Sequence, residues 1–195
     1  KADPGIAPEL PPKIETDHRV PLTREQIGLY EAATRRTMAE IEDSTGMRRR
    51  GLVVKLLTQL KQICNHPAQF LHEPDARLAG RSGKLEAFEG LVEEITDEGG
   101  AALVFTQYAQ MGHLLSRRLG DLKVRHDFLH GGTPVPRREQ MVTAFQSGET
   151  DVFVLSLKAA GTGLNLIRAD HVVHYDRWWN PAVEDQATDR AHRIG

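Results

Sequence analysis

The spacing of apolar residues changes near residue 82, and the two parts of the chain predict different structures. In the first part, a short alternating segment is followed by apolar positions with a helical period. In the second part, amphipathic helices alternate with short, nearly continuous apolar segments that are typical of buried strands. The sequence therefore predicts a helical segment followed by an α/β unit.

The first part begins with 12 residues that include four prolines, so we expect an extended start. Residues 13–22 alternate between apolar and polar side chains, as a strand does. Thr23 and Gln26 match a capping box, which opens a helix that we expect to end at Gly46. A second helix is predicted from about Arg50, and Pro67 is expected to stop it.

From residue 82 the predicted elements alternate. Predicted helices end near residues 98, 119 and 146, and predicted strands cover residues 101–105, 124–129, 151–156 and 171–175. Apolar strands separated by helices require right-handed crossovers and give a parallel sheet with helices on both faces. The predicted fold class is α/β, with at least four parallel strands, and ligands of such sheets bind at the carboxyl ends of the strands.

Composition narrows the classes of protein. The chain has 195 residues, of which 39% are hydrophobic and 27% charged, enough for one substantial core. A single cysteine, Cys64, excludes an internal disulfide, and no apolar run approaches the about 20 residues that cross a bilayer. We expect a cytoplasmic protein, and a piece of a longer one. The net charge of −2 does not indicate a nucleic-acid binder, although it is compatible with a local basic groove.

The last residues carry the most specific chemistry. Asn180 and Pro181 predict the start of a helix. Gln186, Arg190 and Arg193 then share one helical face, at positions i, i+4 and i+7. Two guanidinium groups and an amide on one face suit the oxygens of a polyphosphate. The alternative is a solvated helix in which Asp189 pairs with Arg193 at i, i+4.

Three predicted strands end in small or polar residues. Small residues at the carboxyl end of a strand let backbone amides approach an anion closely. A structural turn is the alternative at each strand end taken alone, but three such ends on one edge of a sheet favour a binding site. The residues concerned are Thr106, Gly131, Ser156, Lys158, Gly161, Gly163 and Asn165.

The order of these motifs resembles that of a known family. Residues 105–107, 130–145, 156–166 and 179–195 resemble successive motifs of the second RecA-like lobe of Swi/Snf-type helicase-like ATPases, and look most like bacterial members. Residues 10–13, 22–30 and 62–67 resemble the segment that joins lobe one to lobe two. The resemblance implies a lobe-linking segment at 1–22, a helical pair and connector at 23–81, and a RecA-like lobe two at 82–195 that is truncated at its end.

The resemblance implies an ATP-driven translocase on double-stranded DNA. ATP and Mg would be held mainly by the first RecA-like lobe, a partner outside these residues, so the isolated fragment is predicted to be inactive. Arg190 and Arg193 would reach the ATP phosphates as arginine fingers beside Gln186, and Gly163 and Asn165 would approach the nucleotide. The residues implied to contact the DNA backbone are Thr106, Gly131, Ser156, Lys158 and Gly161. No membrane is implied, and the setting would be the bacterial nucleoid or a eukaryotic nucleus.

Two short segments imitate the motifs of a first lobe. Residues 80–85 suggest a P-loop, but they lack its four-residue spacing and the Ser or Thr after Lys84. Ser82 is instead expected to cap a helix, and residues 97–98 to end one. Cys64 and its neighbouring histidines are expected to be structural, with no metal ion.

Two other functions share the predicted architecture. The first is a DNA- or protein-binding module without catalysis on the same fold, which would not need Gln186, Arg190 and Arg193. The second is lobe two of an RNA helicase. The segment at 178–181 and the helical pair favour the Swi/Snf type over the RNA helicase, and the presence of Gln186, Arg190 and Arg193 argues against the binding module.

Overall fold

A computed structural model describes residues 14–156, 166–178 and 182. Six helices and four strands lie in this part of the chain. In chain order they are α1 (Arg24–Glu42), α2 (Gly46–Asn65), α3 (Pro67–Leu71), α4 (Gly83–Asp97), β1 (Ala102–Thr106), α5 (Ala109–Asp121), β2 (His126–Leu129), α6 (Val135–Ser147), β3 (Val152–Ser156) and β4 (His171–His174).

The four described strands form one sheet in the order β2, β3, β1, β4, and every neighbouring pair is parallel. The predicted parallel sheet is therefore confirmed. Thr106 pairs with Ser156 and Leu129 pairs with Leu155, so β1, β3 and β2 end at the same edge.

The sheet separates two apolar cores, which confirms that helices cover both of its faces. One core packs α4 and α5 against alternate strand residues such as Val104 and Val154. The other packs α6 against the intervening residues, including Phe105 and Phe153. All five residues of β1 and of β3 are buried, which explains why these two strands have nearly continuous apolar sequences.

The capping signals predicted at Thr23 and Ser82 are confirmed, and the one predicted at Asn180 and Pro181 lies outside the described residues. The Thr23 hydroxyl accepts from the Gln26 amide at 3.2 Å, and the Gln26 side chain accepts from the Thr23 amide at 3.0 Å. Ser82 caps α4 by accepting from the Leu85 amide at 3.2 Å. His66 caps the short helix α3, since its Nδ1 accepts from an amide of the first turn at 3.0 Å.

Two predictions for the first part are wrong. Residues 14–23 form no strand, and Ile14 is 87% exposed, because no strand of the sheet pairs with this segment. The first helix ends at Glu42 rather than at Gly46, and Gly46 begins α2 with φ of +59°. The positive φ explains why a glycine lies there. The prediction that the second helix ends before Pro67 is confirmed, and Pro67 itself begins α3.

The segment before α1 is fixed to the start of α4. A Cβ atom added to Gly83 would lie 2.1 Å from the Pro21 carbonyl oxygen, so only glycine fits there. Two residues on, the Thr23 hydroxyl donates to the Arg81 carbonyl at 2.9 Å. In the part of the chain that the structure describes, no helix is long and apolar enough to span a bilayer.

Candidate functional site

The carboxyl ends of β1, β2 and β3 form a continuous edge of the sheet. We define this carboxyl edge as residues 106–108, 130–133 and 156. The register of the strands brings Thr106 next to Ser156 and places the turn that contains Gly131 after β2. Three residues predicted to bind nucleic acid are therefore on one edge, as the parallel sheet requires.

The turn after β1 is held by a buried carboxylate. The Thr106 hydroxyl donates to Asp176 Oδ2 at 2.6 Å, and the Gln107 amide donates to Asp176 Oδ1 at 2.7 Å. Thr106 is fully buried and Asp176 is only 4% exposed. Because the Thr106 hydroxyl bonds to a buried carboxylate, this side chain stabilises the turn at 106–108 and is not itself exposed at the edge.

Asp176 belongs to a buried polar network, which we define as Asn65, Lys84, Thr106 and Asp176. Asn65 Nδ2 donates to Asp176 Oδ2 at 3.2 Å, and Lys84 Nζ donates to Asn65 Oδ1 at 2.9 Å. The Tyr175 hydroxyl donates to the Asn65 carbonyl at 3.0 Å. The network therefore joins the end of α2 and the start of α4 to the ends of β1 and β4.

Burial affects both charged groups of this network. It raises the pKa of the Asp176 carboxyl, and the hydrogen bonds from Thr106 and Gln107 act against this rise. Burial also lowers the pKa of the Lys84 ammonium, while the negative charge of Asp176 raises it. Each charge thus offsets part of the cost of burying the other.

The turn after β2 is compact and internally bonded. The His130 amide donates to the Thr133 hydroxyl at 3.1 Å, and the Thr133 amide donates to the His130 carbonyl at 3.0 Å. Arg138 Nε donates to the Thr133 carbonyl at 2.7 Å, and its Nη2 donates to the Gly131 carbonyl at 3.2 Å. Gly131 is exposed, and a Cβ atom added there would meet nothing within 4 Å. The turn therefore presents its backbone to the surroundings.

The ring of His130, in this turn, packs against the rings of His113 and Phe128. The ring centres of His113 and His130 lie 5.2 Å apart, and the Phe128 ring lies 5.0 Å and 5.1 Å from them. Burial lowers the pKa of His113, and the neighbouring His130 lowers it further. His113 is therefore favoured in its neutral form, so it contributes packing and shape rather than positive charge.

The remaining predicted site residues lie outside the described residues. These are the implied DNA contacts Lys158 and Gly161, the implied nucleotide contacts Gly163 and Asn165, and the implied catalytic residues Gln186, Arg190 and Arg193. Within the described ranges, no three His, Cys, Asp or Glu side chains lie close enough together to hold a metal ion.

Sequence reasoning missed Asn65, Lys84 and Asp176. The sequence offers Lys84 only as part of a false P-loop, whereas in the structure its ammonium donates to Asn65 Oδ1 and is favoured by the negative charge of Asp176. The signal was the position of Asp176 directly after a strand that neighbours β1, because an acidic residue there can reach the Thr106 hydroxyl.

Comparison with protein families and curated relatives gives a consistent picture. The family model described as helicase conserved C-terminal domain matches residues 83–195. A putative ATP-dependent helicase/translocase, YwqA, of Bacillus subtilis is 47% identical over all of this chain and 21% of its own length. A SWI/SNF-related regulator of chromatin from mouse is 34% identical, over 97% of this chain and 19% of its own length. The chain thus spans about a fifth of the length of these curated relatives.

Solved structures from Sulfolobus solfataricus have the same fold. The SWI2/SNF2 ATPase core in complex with double-stranded DNA matches with a TM-score of 0.83 and 38% identity, over 98% of this chain and 40% of that one. The SWI2/SNF2 ATPase C-terminal domain matches with a TM-score of 0.74 and 37% identity, over 84% of this chain and 72% of that one.

Proposed function

The chain belongs to the helicase conserved C-terminal domain family, in its SWI2/SNF2 type, and we propose that it is lobe two of an ATP-dependent translocase on double-stranded DNA. The observation that carries the proposal is the carboxyl edge, where three parallel strands end together. The fold class is the RecA-like α/β class of the SWI2/SNF2 core. We further propose the division into a linking segment at 1–22, a helical pair with its connector at 23–81, and lobe two at 82–195.

The carboxyl edge is the proposed DNA-backbone site. The exposed turn at Gly131 lets a phosphate approach the main chain, because glycine has no side chain to block it. Ser156, which is 4% exposed, ends β3 at this edge, and Lys158 and Gly161, which follow it in the sequence, are proposed to continue the site. Thr106 contributes by holding the turn at 106–108 in place, since its hydroxyl is buried. The near-neutral chain can neutralise few phosphates, so DNA binding is weak. Because the contacts are electrostatic and go to the backbone, binding is independent of sequence and weakened by salt.

Gln186, Arg190 and Arg193 are the proposed catalytic residues, and Gly163 and Asn165 the proposed nucleotide contacts. ATP would supply the phosphoryl group that is transferred, and the first RecA-like lobe would hold most of the ATP and its Mg. Phosphoryl transfer depends on positioned positive charge more than on covalent catalysis. Guanidinium groups meet this need because each donates two parallel hydrogen bonds to phosphate oxygens. Because the first lobe is proposed to hold the ATP and Mg, we expect this chain by itself to hydrolyse no ATP.

This proposal is supported by the proteins to which the chain is similar. The Bacillus subtilis relative is described as an ATP-dependent helicase/translocase, and the Sulfolobus solfataricus core was solved with double-stranded DNA bound.

The test is an Arg193→Ala substitution in the complete protein. We expect DNA-stimulated ATP hydrolysis to fall by about 10³ to 10⁵, the usual cost of losing an arginine finger. Arg193→Lys should fail too, because an ammonium cannot reproduce the guanidinium fork. The matched control is Arg125→Ala, which removes an exposed arginine that pairs with Asp151 near the amino ends of the strands.

Two results would contradict the proposal. One is a turnover of the Arg193 variants within about threefold of the parent at saturating DNA and ATP, since a tenfold change is only about 1.4 kcal/mol of barrier. The other is DNA-stimulated phosphate release by the isolated chain above that of an Arg190→Ala chain.

A further inference from the structure

The buried polar network connects parts of the chain that are far apart in sequence. Asn65 ends α2, Lys84 lies in the first turn of α4, and Asp176 follows β4. A second link runs beside it, because Lys61 of α2 donates to the Arg177 carbonyl at 2.7 Å. Residues 176–177 are therefore held from α2 at two successive positions.

Asp176 depends on all of its partners. A carboxylate that is 4% exposed must be compensated by hydrogen bonds and by opposite charge. Two donors share Oδ2 and come from different elements, namely Thr106 at the end of β1 and Asn65 at the end of α2. Oδ1 accepts from the Gln107 amide, which lies in the turn at the carboxyl edge.

The orientation of the Asp176 carboxylate depends on two residues of the helices, Asn65 of α2 and Lys84 of α4. Asn65 can donate to Asp176 only while its amide oxygen faces the Lys84 ammonium, which donates to that oxygen. The same Asn65 amide nitrogen also donates to Gln69 Oε1 at 3.2 Å, and Gln69 is itself fully buried. Lys84 thus fixes which way Asn65 points, and Asn65 fixes Asp176.

We propose that Lys84 and Asn65 are positioning residues that act through Asp176 on the turn at 106–108 and thereby set how strongly the carboxyl edge responds to double-stranded DNA. The inference rests on the proposed function, because it assigns DNA to this edge. It adds that the helical pair and the DNA-contacting edge are coupled, since one hydrogen-bonded chain of side chains joins them.

Three substitutions in the complete protein separate this role from a general one in folding. Lys84→Met removes the ammonium and leaves the carboxylate without its counter-charge. Asp176→Asn keeps the size of the side chain but turns one acceptor oxygen into a donor, which opposes the donor nitrogen of Asn65. The double substitution removes both charges and frees Asn65 to reverse its amide, so that its oxygen can face the new donor. Gln69 can reverse with it, because its buried Nε2 makes no hydrogen bond in the parent.

The measurement is the concentration of duplex DNA that gives half-maximal stimulation of ATP hydrolysis, at fixed salt. We expect each single variant to raise it about fivefold or more, in the range of ordinary coupling free energies. The double variant should return to within about twofold of the parent, because interacting residues are not additive. A loss of folded protein alone would lower the maximal rate of ATP hydrolysis and leave the half-maximal DNA concentration unchanged.

A matched control comes from the opposite end of the sheet. Arg118 donates to both oxygens of Glu89 at 2.7 Å and 2.9 Å, near the last turn of α5. Arg118→Met breaks an ion pair of the same lobe, and we expect it to leave the half-maximal DNA concentration unchanged. If Lys84→Met fails to fold, Lys84→Gln replaces it, because an amide can still donate to Asn65, and the expected shift is smaller with the same sign.

The outcomes are distinguishable. Single variants whose half-maximal DNA concentration equals that of Arg118→Met would overturn the inference and leave the proposed function standing. A double variant no better than the worse single variant would also overturn it. A parent protein without DNA stimulation would overturn the proposed function and the inference together.

Discussion

Gln26 offers the sharpest test of how the helical pair is joined to the α/β unit. Its side chain is 0% exposed and uses all of its hydrogen-bonding capacity. Oε1 accepts from the Thr23 amide at 3.0 Å and from the Gly83 amide at 3.3 Å. Nε2 donates to the Ile63 carbonyl at 2.9 Å and to the Cys64 carbonyl at 3.1 Å. One amide group therefore connects the start of α1, the end of α2 and the start of α4.

We predict that Gln26→Leu lowers the free energy of unfolding by about 2 to 6 kcal/mol. Two carbonyls of α2 lose their donor, and a buried group left unsatisfied costs about 1 to 3 kcal/mol. The Thr23 hydroxyl still accepts from the backbone amide of residue 26, so the helix keeps this half of its capping box. The two partly buried amides can be reached by water, so they add little. A domain has only about 5 to 15 kcal/mol of stability, so the change is large.

The assay is urea unfolding of the chain, followed by circular dichroism, with the slope m compared between variants. Thr34→Ala is the control on the same helix, since it removes one exposed hydrogen bond to the Tyr30 carbonyl. It should change stability by no more than about 0.5 kcal/mol. A loss below about 1 kcal/mol for Gln26→Leu would refute the reasoning, because the glutamine would then act only as a capping residue.

Three further predictions test other parts of the structure. Gly112→Ala should lower the free energy of unfolding by about 1 to 3 kcal/mol, because the added Cβ would lie 2.2 Å from the buried Phe128 ring. Gly90→Ala should raise it by up to about 1 kcal/mol, because a Cβ there would meet nothing within 4 Å and alanine favours the helix. The free energy of unfolding should fall as the pH drops below about 6.5, because burial lowers the pKa of His66 in the folded state, so that the imidazole takes up a proton at that pH only in the unfolded chain. A His66→Asn variant with the same dependence of stability on pH would contradict this. Adding duplex DNA should shift the amide resonances of the carboxyl edge, an effect lost at high salt, and shifts confined to α1 and α2 would contradict the assignment.

The sheet could be predicted because each of its strands has a local signature. Strands β1 and β3 are buried on both faces, so their sequences are almost entirely apolar, and short turns mark their ends. The capping box at Thr23 and the cap at Ser82 are also local, because donor and acceptor lie three residues apart. Signals of this kind can be read from one segment at a time.

The failures are of a different kind. The alternation at 13–22 imitates a strand, but a strand needs a neighbour to pair with, and pairing is a property of the whole sheet. The buried polar network could not be inferred from spacing, since Asn65 and Asp176 are separated by 111 residues. The predicted edge with Thr106 and Gly131 was found because parallel strands end together, whatever their separation in the sequence.

The contact between Pro21 and Gly83 has a mechanical consequence. Residues 14–19 are exposed, with Asp17 paired to Arg177 at 3.0 Å, and the contacts with the start of α4 begin at Pro21 against Gly83 and Thr23 against the Arg81 carbonyl. A pull on the residues before Pro21 would therefore reach the start of α4 through Gly83 and Arg81, and the start of α1 through its cap Thr23. Under the proposed two-lobe arrangement, this contact is where a force from the first lobe would enter lobe two.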